Sequence, residues 1–186
     1  MQLGLKRGEV SVEEHNPEWE DFAKEIIKEL KEMLSDVAVD IQHVGSTEIK
    51  NICAKPIIDL AVATLDFNPI LSMNKKLEAG GFIFRGQDYD DQYLYVCGGE
   101  DYRTVHVHVV LYNSERWNNY LNMRDYLNSH KEDARAYSEL KESLAKQYPK
   151  DRIKYTEMKS AFINEILNKA KEWRKCIGNS GKEALG

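Results

Sequence analysis

The stretch that decides the fold is VAVDIQHVGSTEIKNICAKPIIDLAVA, residues 37–63. It begins with an alternating, β-branched segment that predicts a strand over 37–44, and the turn Gly45-Ser46-Thr47 follows directly. Residues 56–63 are almost wholly apolar and predict a second, largely buried strand. Two strands on either side of a glycine turn indicate that a β-sheet forms the centre of the fold.

Helix and strand patterns also extend outward from this pair of strands. Apolar residues recur at helical spacing over 17–34, where Asn16 can cap the helix, and residues 9–14 predict an edge strand. The patterns further along the chain predict a helix over 69–79, strands over 82–85, 92–97 and 103–112, and helices from 114 onward, the last over 155–173.

Together these patterns predict one α+β domain over residues 1–186. It consists of an N-terminal helix, a mixed sheet of about five strands and a helical C-terminal third. Residues 178–186 are polar and rich in glycine, which is typical of a flexible tail.

The composition excludes several classes of protein. The net charge is −5 and no basic stripe is present, which argues against binding of bulk nucleic acid but not against a phosphate ligand. No apolar run approaches the roughly 20 residues of a membrane-spanning helix, and the first residues lack the pattern of a signal peptide. Three distant cysteines do not suggest a disulfide framework. We therefore expect a cytoplasmic protein that does not associate with membranes; the sequence does not indicate its oligomeric state.

Asp59 interrupts the apolar strand over 56–63. Strand alternation places Ile57, Asp59 and Ala61 on one face of the sheet. A buried carboxylate is costly unless it is paired or binds a metal, and small alanines beside it leave room for a ligand. The alternative is a structural aspartate that pairs with Lys55 or with an arginine.

His106 and His108 are the second candidate for chemistry. In the strand over 103–112 the valines share one face, so both histidines lie on the opposite face. A His-x-His pair of this kind can direct both imidazoles at one metal ion. The alternatives are hydrogen bonds within the sheet or to a phosphate group.

The turn Gly45-Ser46-Thr47 is a candidate phosphate site, because its backbone N–H groups and the Ser46 hydroxyl can donate to an anion. Lys55 and Arg103 lie at the mouths of the strands that carry Asp59 and the histidines, which makes them candidate phosphate partners. An ordinary tight turn and two surface charges are the alternatives.

Several blocks of the sequence resemble the GrpB family: HVGST at 43–47, AKPIID at 54–59, RTVHVHVV at 103–110 and LNMRDYL at 121–127. The similarity extends over about residues 10–166. This family is grouped with the polymerase-β-like nucleotidyltransferases, and a related domain is fused to dephospho-CoA kinase. The resemblance therefore implies a nucleotidyltransferase-like sheet whose Gly-Ser turn holds a nucleoside triphosphate.

In that superfamily, the strand after the turn carries two metal-binding carboxylates two residues apart. Asp59 matches the first of them, whereas Ala61 stands where the second is expected. A third carboxylate, expected on a later strand, would fall near His106 or His108. One aspartate with two histidines suits a single ion better than a pair of Mg²⁺ ions.

These observations predict a metal-dependent nucleotidyltransferase that moves a nucleoside monophosphate from a triphosphate to a small acceptor. Its ion is expected to be Mg²⁺ or Mn²⁺, with Zn²⁺ as the alternative. The predicted roles are catalysis by Asp59, Ser46 and His108, nucleotide binding by Gly45, Ser46, Thr47, Lys55 and Arg103, and metal binding by Asp59, His106 and His108. Two alternatives remain open: a catalytically degenerate module that binds a nucleotide or a CoA-related ligand, and a metal-dependent phosphohydrolase that uses the His-x-His pair.

Overall fold

The structure is a computed structural model that describes residues 3–99 and 101–183, with the side chains of 178–183 excepted. Its helices are α1 (Glu18–Leu34), α2 (Phe67–Ser72), α3 (Asn74–Ala79), α4 (Glu115–Ser129), α5 (Lys131–Gln147) and α6 (Arg152–Glu183). Its strands are β1 (Leu5–Lys6), β2 (Asp40–Val44), β3 (Ile58–Thr64), β4 (Ile83–Tyr89), β5 (Gln92–Cys97), β6 (Tyr102–Arg103) and β7 (Val105–Leu111).

Five strands form the central sheet in the order β2-β3-β7-β5-β4. The β3 and β7 strands are parallel, and the other neighbouring strands are antiparallel. The short strands β1 and β6 form a separate two-stranded sheet. The predicted architecture, with a mixed sheet of five strands between an N-terminal helix and a helical C-terminal third, is confirmed.

Helix α1 covers one face of the sheet. The Asn16 side chain accepts a hydrogen bond from the Glu18 N–H at 2.9 Å, as expected for a cap. Trp19 and Leu30 from α1 are buried with the apolar residues of β3 and β7, including Leu60. This face is the main hydrophobic core, and burial of its large side chains provides most of the stabilisation of the sheet.

Helices α4, α5 and α6 cover the opposite face. Helix α4 begins where the Ser114 hydroxyl accepts a hydrogen bond from the Trp117 N–H. Trp117 packs in one buried cluster with Ala61 and Ala63, so the room predicted above these alanines is filled by an indole ring. On this face the open space begins at Asp59, two residues before Ala61 along β3.

Some predicted elements differ from the structure. The edge strand predicted over 9–14 is wrong: only Glu13 forms a β-bridge, to Ala54, because the Val10 N–H donates instead to the Pro149 carbonyl. The helix predicted over 69–79 starts earlier and is divided in two at Met73.

Differences also occur near the C-terminal end of the chain. The strand predicted over 103–112 is divided between β6 and β7, which belong to different sheets. The backbone of α6 continues to Glu183, beyond the predicted end of the last helix. In the predicted tail, the side chains of 178–183 and all of 184–186 lie outside the described residues. In the described part of the chain, each helix is too short or too polar to span a bilayer.

Candidate functional site

Asp59, His106 and His108 meet on the helix-covered face of the sheet. The parallel register of β3 and β7 pairs Asp59 with His106 and Ala61 with His108. Asp59 Oδ1 lies 3.1 Å from His106 Nδ1 and 3.2 Å from His108 Nε2. The structure therefore brings these three predicted residues together, and the partners of Asp59 are histidines rather than Lys55.

Electrostatics at this cluster favours the ionised carboxylate. Burial by itself would raise the pKa of the Asp59 carboxyl, but the hydrogen bonds from His106 and His108 hold that pKa well below its usual range. Burial lowers the pKa of His106, against the opposing effect of Asp59. About 30% of the Asp59 side chain is still accessible, so one side of the carboxylate can reach a ligand.

The turn at Gly45 packs directly against Asp59. Gly45 has φ +71°, and a Cβ atom at this position would lie 2.7 Å from Asp59 Oδ2. The carbonyls of Gly45 and Ser46 accept hydrogen bonds from Glu48 and Ile49 and close the turn. The neighbouring Ser46 hydrogen-bonds Tyr137, whose pKa burial raises to about 12. Only glycine combines this backbone conformation with such close contact to the carboxylate.

These residues line a cavity of about 420 Å³, a size within the usual range for small-molecule sites. The turn and the ends of β3 and β7 form its floor, and side chains of α4, α5 and α6 form its walls. Six of the lining residues are lysines or arginines: Lys55, Arg116, Arg124, Lys141, Arg152 and Lys159. Asp59 is the one carboxylate among the described lining residues.

Lys55 and Lys159 approach the same aromatic ring. Their Nζ atoms lie 5.4 and 4.5 Å from the centre of the Tyr155 ring. Burial and the nearby positive charges of Lys159 and Arg152 lower the pKa of Lys55 to about 7. Burial lowers the pKa of Lys159 to about 8. These two lysines therefore share one ring in the cavity and carry positive charge there when they are protonated.

Lys141 and Arg152 add to this positive charge. Lys141 is buried, donates to the Cys53 carbonyl and lies over the Tyr137 ring, and burial lowers its pKa to about 7. Among the described residues, no carboxylate lies within 4.0 Å of the charged groups of Lys55, Lys159, Lys141 or Arg152. Among the residues that the structure describes, these four basic side chains therefore have no ion-pair partner.

The other two cations of the cavity have structural partners. Arg116 Nε lies 2.6 Å from an oxygen of Asp91. Arg124 Nε lies 2.7 Å from an oxygen of Asp125, and Arg124 Nη1 donates to the His43 carbonyl. Since their charges are already paired, these arginines contribute less than the lysines to the binding of an anion.

Two predicted binding residues do not reach the cavity. Thr47 is buried and its hydroxyl lies 2.8 Å from His43 Nε2, within the turn. Arg103 donates to the carbonyls of Gly99 and Tyr102, because β6 pairs with β1 and does not continue the line of the two histidines. Gly45, Ser46, Lys55, Asp59, His106 and His108 all line the cavity.

The three possible ligand atoms of this cluster limit which metal ion could bind to it. One carboxylate oxygen and two imidazole nitrogens lie within 4.8 Å of one another, on Asp59, His106 and His108. Three such donors suit one ion that keeps an open coordination position. A pair of Mg²⁺ ions needs more oxygen ligands than this set supplies, because Ala61 stands opposite His108.

The sequence patterns missed Arg152, Tyr120 and Tyr155 as cavity residues. Tyr120 stacks on the His108 ring with centroids 5.3 Å apart, and its hydroxyl donates to Gln92. The sequence did contain a pattern that could have identified Lys141 and Lys159 as cavity residues. Lys141 follows Tyr137, and Lys159 follows Tyr155, by four residues on the same helix face, so each lysine falls on an apolar stripe.

The sequence of this chain matches a known protein family. Residues 9–169 match the family described as GrpB protein. The chain is 33% identical over 171 residues to the glutamate-rich protein GrpB of Alkalihalophilus pseudofirmus, and the match covers 89% of this chain and 98% of that protein. It is 30% identical to the UPF0157 protein YqkA of Bacillus subtilis, with coverage of 89% of this chain and 48% of that protein.

Solved structures show the same fold. The crystal structure of the conserved protein GrpB from Enterococcus faecalis matches with a TM-score of 0.81 at 31% identity, over 88% of this chain and 99% of that chain. The structure of Cid1 in complex with its short product ApU matches with a TM-score of 0.51 at 15% identity, over 73% of this chain and 43% of Cid1. The second match supports a nucleotidyltransferase-like fold.

Proposed function

Because this chain belongs to the GrpB family, we propose that it is a metal-dependent nucleotidyltransferase that moves a nucleoside monophosphate from a triphosphate to a small acceptor. The observation that supports this most is the uncompensated positive charge of the cavity. Four cations without carboxylate partners surround a Gly-Ser turn and one aspartate, on a nucleotidyltransferase-like sheet. A polyphosphate is the small ligand that supplies several negative charges within such a space.

The protein's own groups would hold the triphosphate from two sides. The N–H groups of the turn and the Ser46 hydroxyl donate from the floor, as in other backbone phosphate sites. Lys55 and Lys159, held over the Tyr155 ring, donate from the opposite side. Each charged hydrogen bond of this kind contributes about 1.5–3 kcal/mol.

We assign the metal ligands to Asp59, His106 and His108. An ion bound there would polarise a phosphate oxygen and stabilise the negative charge that develops in the transition state. The low pKa of Asp59 keeps the carboxylate ionised and available as a ligand. Asp59 packs against the Gly45 turn, so the proposed ligand would lie beside the proposed phosphate donors.

The transfer step forms one bond and breaks another. An oxygen of the acceptor bonds to the α-phosphorus, and the bond from that phosphorus to the pyrophosphate oxygen breaks. Pyrophosphate leaves with the electron pair. The proton of an acceptor hydroxyl passes to His108 if the ion is held by Asp59 and His106 alone, and to solvent water if His108 is itself a ligand of the ion. Lys55 and Lys159 neutralise charge on the leaving pyrophosphate.

A second candidate function is binding of a nucleotide without turnover. The described lining residues include one carboxylate, which favours this function, because Ala61 stands where two-metal transfer requires a second oxygen ligand. In that case the cationic cavity would be a sensor or carrier site for a nucleotide or a CoA-related ligand.

One assay separates these functions. We would incubate the protein with each nucleoside triphosphate, Mg²⁺, Mn²⁺ or Zn²⁺, and a mixture of small hydroxyl- and phosphate-bearing acceptors, and follow products by phosphorus NMR. Pyrophosphate together with a labelled acceptor supports transfer, whereas inorganic phosphate without a labelled acceptor indicates a phosphohydrolase. A rise in Tm with a triphosphate and no product indicates a binding module. No rise in Tm with any triphosphate would contradict both nucleotide functions.

Replacement of the histidines should separate metal binding from proton transfer. We expect His106→Ala with His108→Ala to lower bound Mn²⁺ or Zn²⁺ by at least about tenfold, since two of three ligands are lost. Metal analysis after dialysis measures this. His108→Ala alone distinguishes its two roles: retained metal with lost turnover assigns the base, and lost metal assigns the ligand. An unchanged metal content in the double variant would exclude this site.

Triphosphate affinity should fall as the pH rises from about 7 to about 9. The pKa values of Lys55 and Lys159 are about 7 and 8, so both lose their charge across this range in the ligand-free protein. A bound anion favours the ammonium forms and raises both pKa values, so binding at a pH of about 8 takes up protons. Calorimetry in two buffers of different ionisation enthalpy measures the uptake.

The matched variants for this test are Lys55→Met with Lys159→Met, compared with Lys150→Met at an exposed position. The double variant should show less proton uptake and at least about tenfold weaker binding. The control should behave as the parent protein. Affinity that stays constant over this pH range in the parent protein would show that the lysines do not contact the phosphates.

A further inference from the structure

His43 lies behind the turn that we assign to phosphate binding, on the opposite face of the sheet from the cavity. Strand alternation puts His43 on the same face as Ile41, which is buried in the core beneath helix α1. The His43 side chain is itself buried. The described residues that line the cavity include Gly45 and Ser46 but not His43. Any effect of this imidazole on a ligand in the cavity therefore has to pass through the turn.

Both ring nitrogens of His43 contact the turn segment. Nδ1 lies 2.7 Å from Oε2 of Glu48, and Nε2 lies 2.8 Å from Oγ1 of Thr47. An ionised carboxylate only accepts hydrogen bonds, so Nδ1 is the nitrogen that donates to Glu48. The imidazole thus joins the end of β2 to the two residues that follow Ser46, and these contacts enclose the backbone of Gly45 and Ser46.

Helix α4 holds the backbone on both sides of this turn. The Asn128 side chain accepts a hydrogen bond from the Lys50 N–H at 3.0 Å and donates to the Glu48 carbonyl at 3.3 Å. Arg124, one helical turn earlier, donates to the His43 carbonyl at 3.2 Å. The chain is therefore fixed before and after the turn, and the imidazole of His43 connects these two fixed points.

We propose that His43 is a positioning residue, which holds the backbone of the turn in the conformation that binds the triphosphate. This inference rests on the proposed function, in which the N–H groups of the turn donate to phosphate oxygens. Glycine adopts many backbone conformations, so the shape of a turn that contains Gly45, at φ +71°, depends on the contacts around it. Donors that are already ordered bind a ligand more tightly, because less conformational entropy is lost on binding.

The test uses inorganic triphosphate as the probe and the intact protein, with the Kd measured by calorimetry in the presence of Mn²⁺. His43→Leu removes both contacts of the ring, and we expect it to raise the Kd by about tenfold or more. His43→Asn retains a side-chain N–H for Glu48 and should bring the Kd back to within about threefold of that of the parent protein. His130→Leu replaces a partly buried histidine that is not among the described lining residues, and as the matched control it should leave the Kd unchanged.

Thr47→Val is the second variant, because it removes the hydroxyl that contacts Nε2 and retains the size of the side chain. It should raise the Kd by about threefold or more. If His43→Leu does not fold, an unchanged Kd in Thr47→Val overturns the inference.

An unchanged Kd in a folded His43→Leu variant would overturn the inference, and so would a His43→Asn variant that binds as weakly as His43→Leu. A loss of the same size in His130→Leu would show a general effect on the fold and would overturn it too. If the parent protein does not bind triphosphate, the proposed function fails. Hydrogen exchange at the Glu48 and Ile49 N–H groups, which donate to the carbonyls of the turn, then still decides whether His43 orders the turn. Faster exchange in His43→Leu than in the parent supports this role, and equal exchange overturns it.

Discussion

Asp59→Asn is expected to lower the rate of nucleotidyl transfer by about 10³-fold or more, which corresponds to about 4 kcal/mol of transition-state stabilisation. Asp59 is the one carboxylate among the described residues that line the cavity, and it accepts hydrogen bonds from both histidines. The asparagine keeps the shape of the side chain but removes the charge that holds the ion. Steady-state rates of pyrophosphate release, with saturating metal and triphosphate, measure the effect.

The same variant should bind the triphosphate more tightly when metal is absent. The carboxylate contacts the turn that we assign to phosphate binding, so without an ion it repels the ligand. Tighter binding of the triphosphate would therefore indicate a charge effect, because damage to the fold would weaken binding instead. Asp36→Asn, at an exposed position after α1, is the control and should change neither quantity. Normal turnover in Asp59→Asn would remove this aspartate from the catalytic site.

Gly45→Ala is expected to destabilise the fold by about 2–4 kcal/mol, because two costs add. Gly45 has φ +71°, which an alanine adopts only with strain, and the new Cβ would lie 2.7 Å from Asp59 Oδ2 and 2.9 Å from Asp59 Cβ. Relief of this contact would displace Asp59 from the histidines, so activity should fall as well. Urea unfolding measures the change in the free energy of unfolding.

Gly81→Ala separates the two costs. Gly81 also has a positive φ, +88°, but a Cβ there meets no atom within 4 Å. We expect this control to lose only about 1–2 kcal/mol, from backbone strain alone, and to retain activity. Equal destabilisation in the two variants, with activity retained in both, would show that the contact between the turn and Asp59 has no functional role.

Local periodicity explains why part of the site could be predicted from the sequence. Strand geometry repeats every two residues, so Asp59 and the pair His106 and His108 could each be placed on a defined face. The same rule could not show that β3 and β7 are parallel neighbours in the register that brings Asp59 to His106. The same rule also put Arg103 on the strand that carries the histidines. A strand pattern does not reveal that β6, which contains Arg103, pairs with β1 in a separate sheet.

The sequence by itself determined the fold class, the glycine turn and the strand faces that carry Asp59, His106 and His108, because these follow from short-range backbone and side-chain preferences. Only the tertiary structure decided that α6 brings Arg152 and Lys159 over Lys55, about a hundred residues away in the chain. Pairing between distant elements depends on the packing of whole surfaces, as where Trp117 fills the space above Ala61. The cluster of basic side chains around the cavity, on which the proposed ligand rests, therefore exists only in the folded chain.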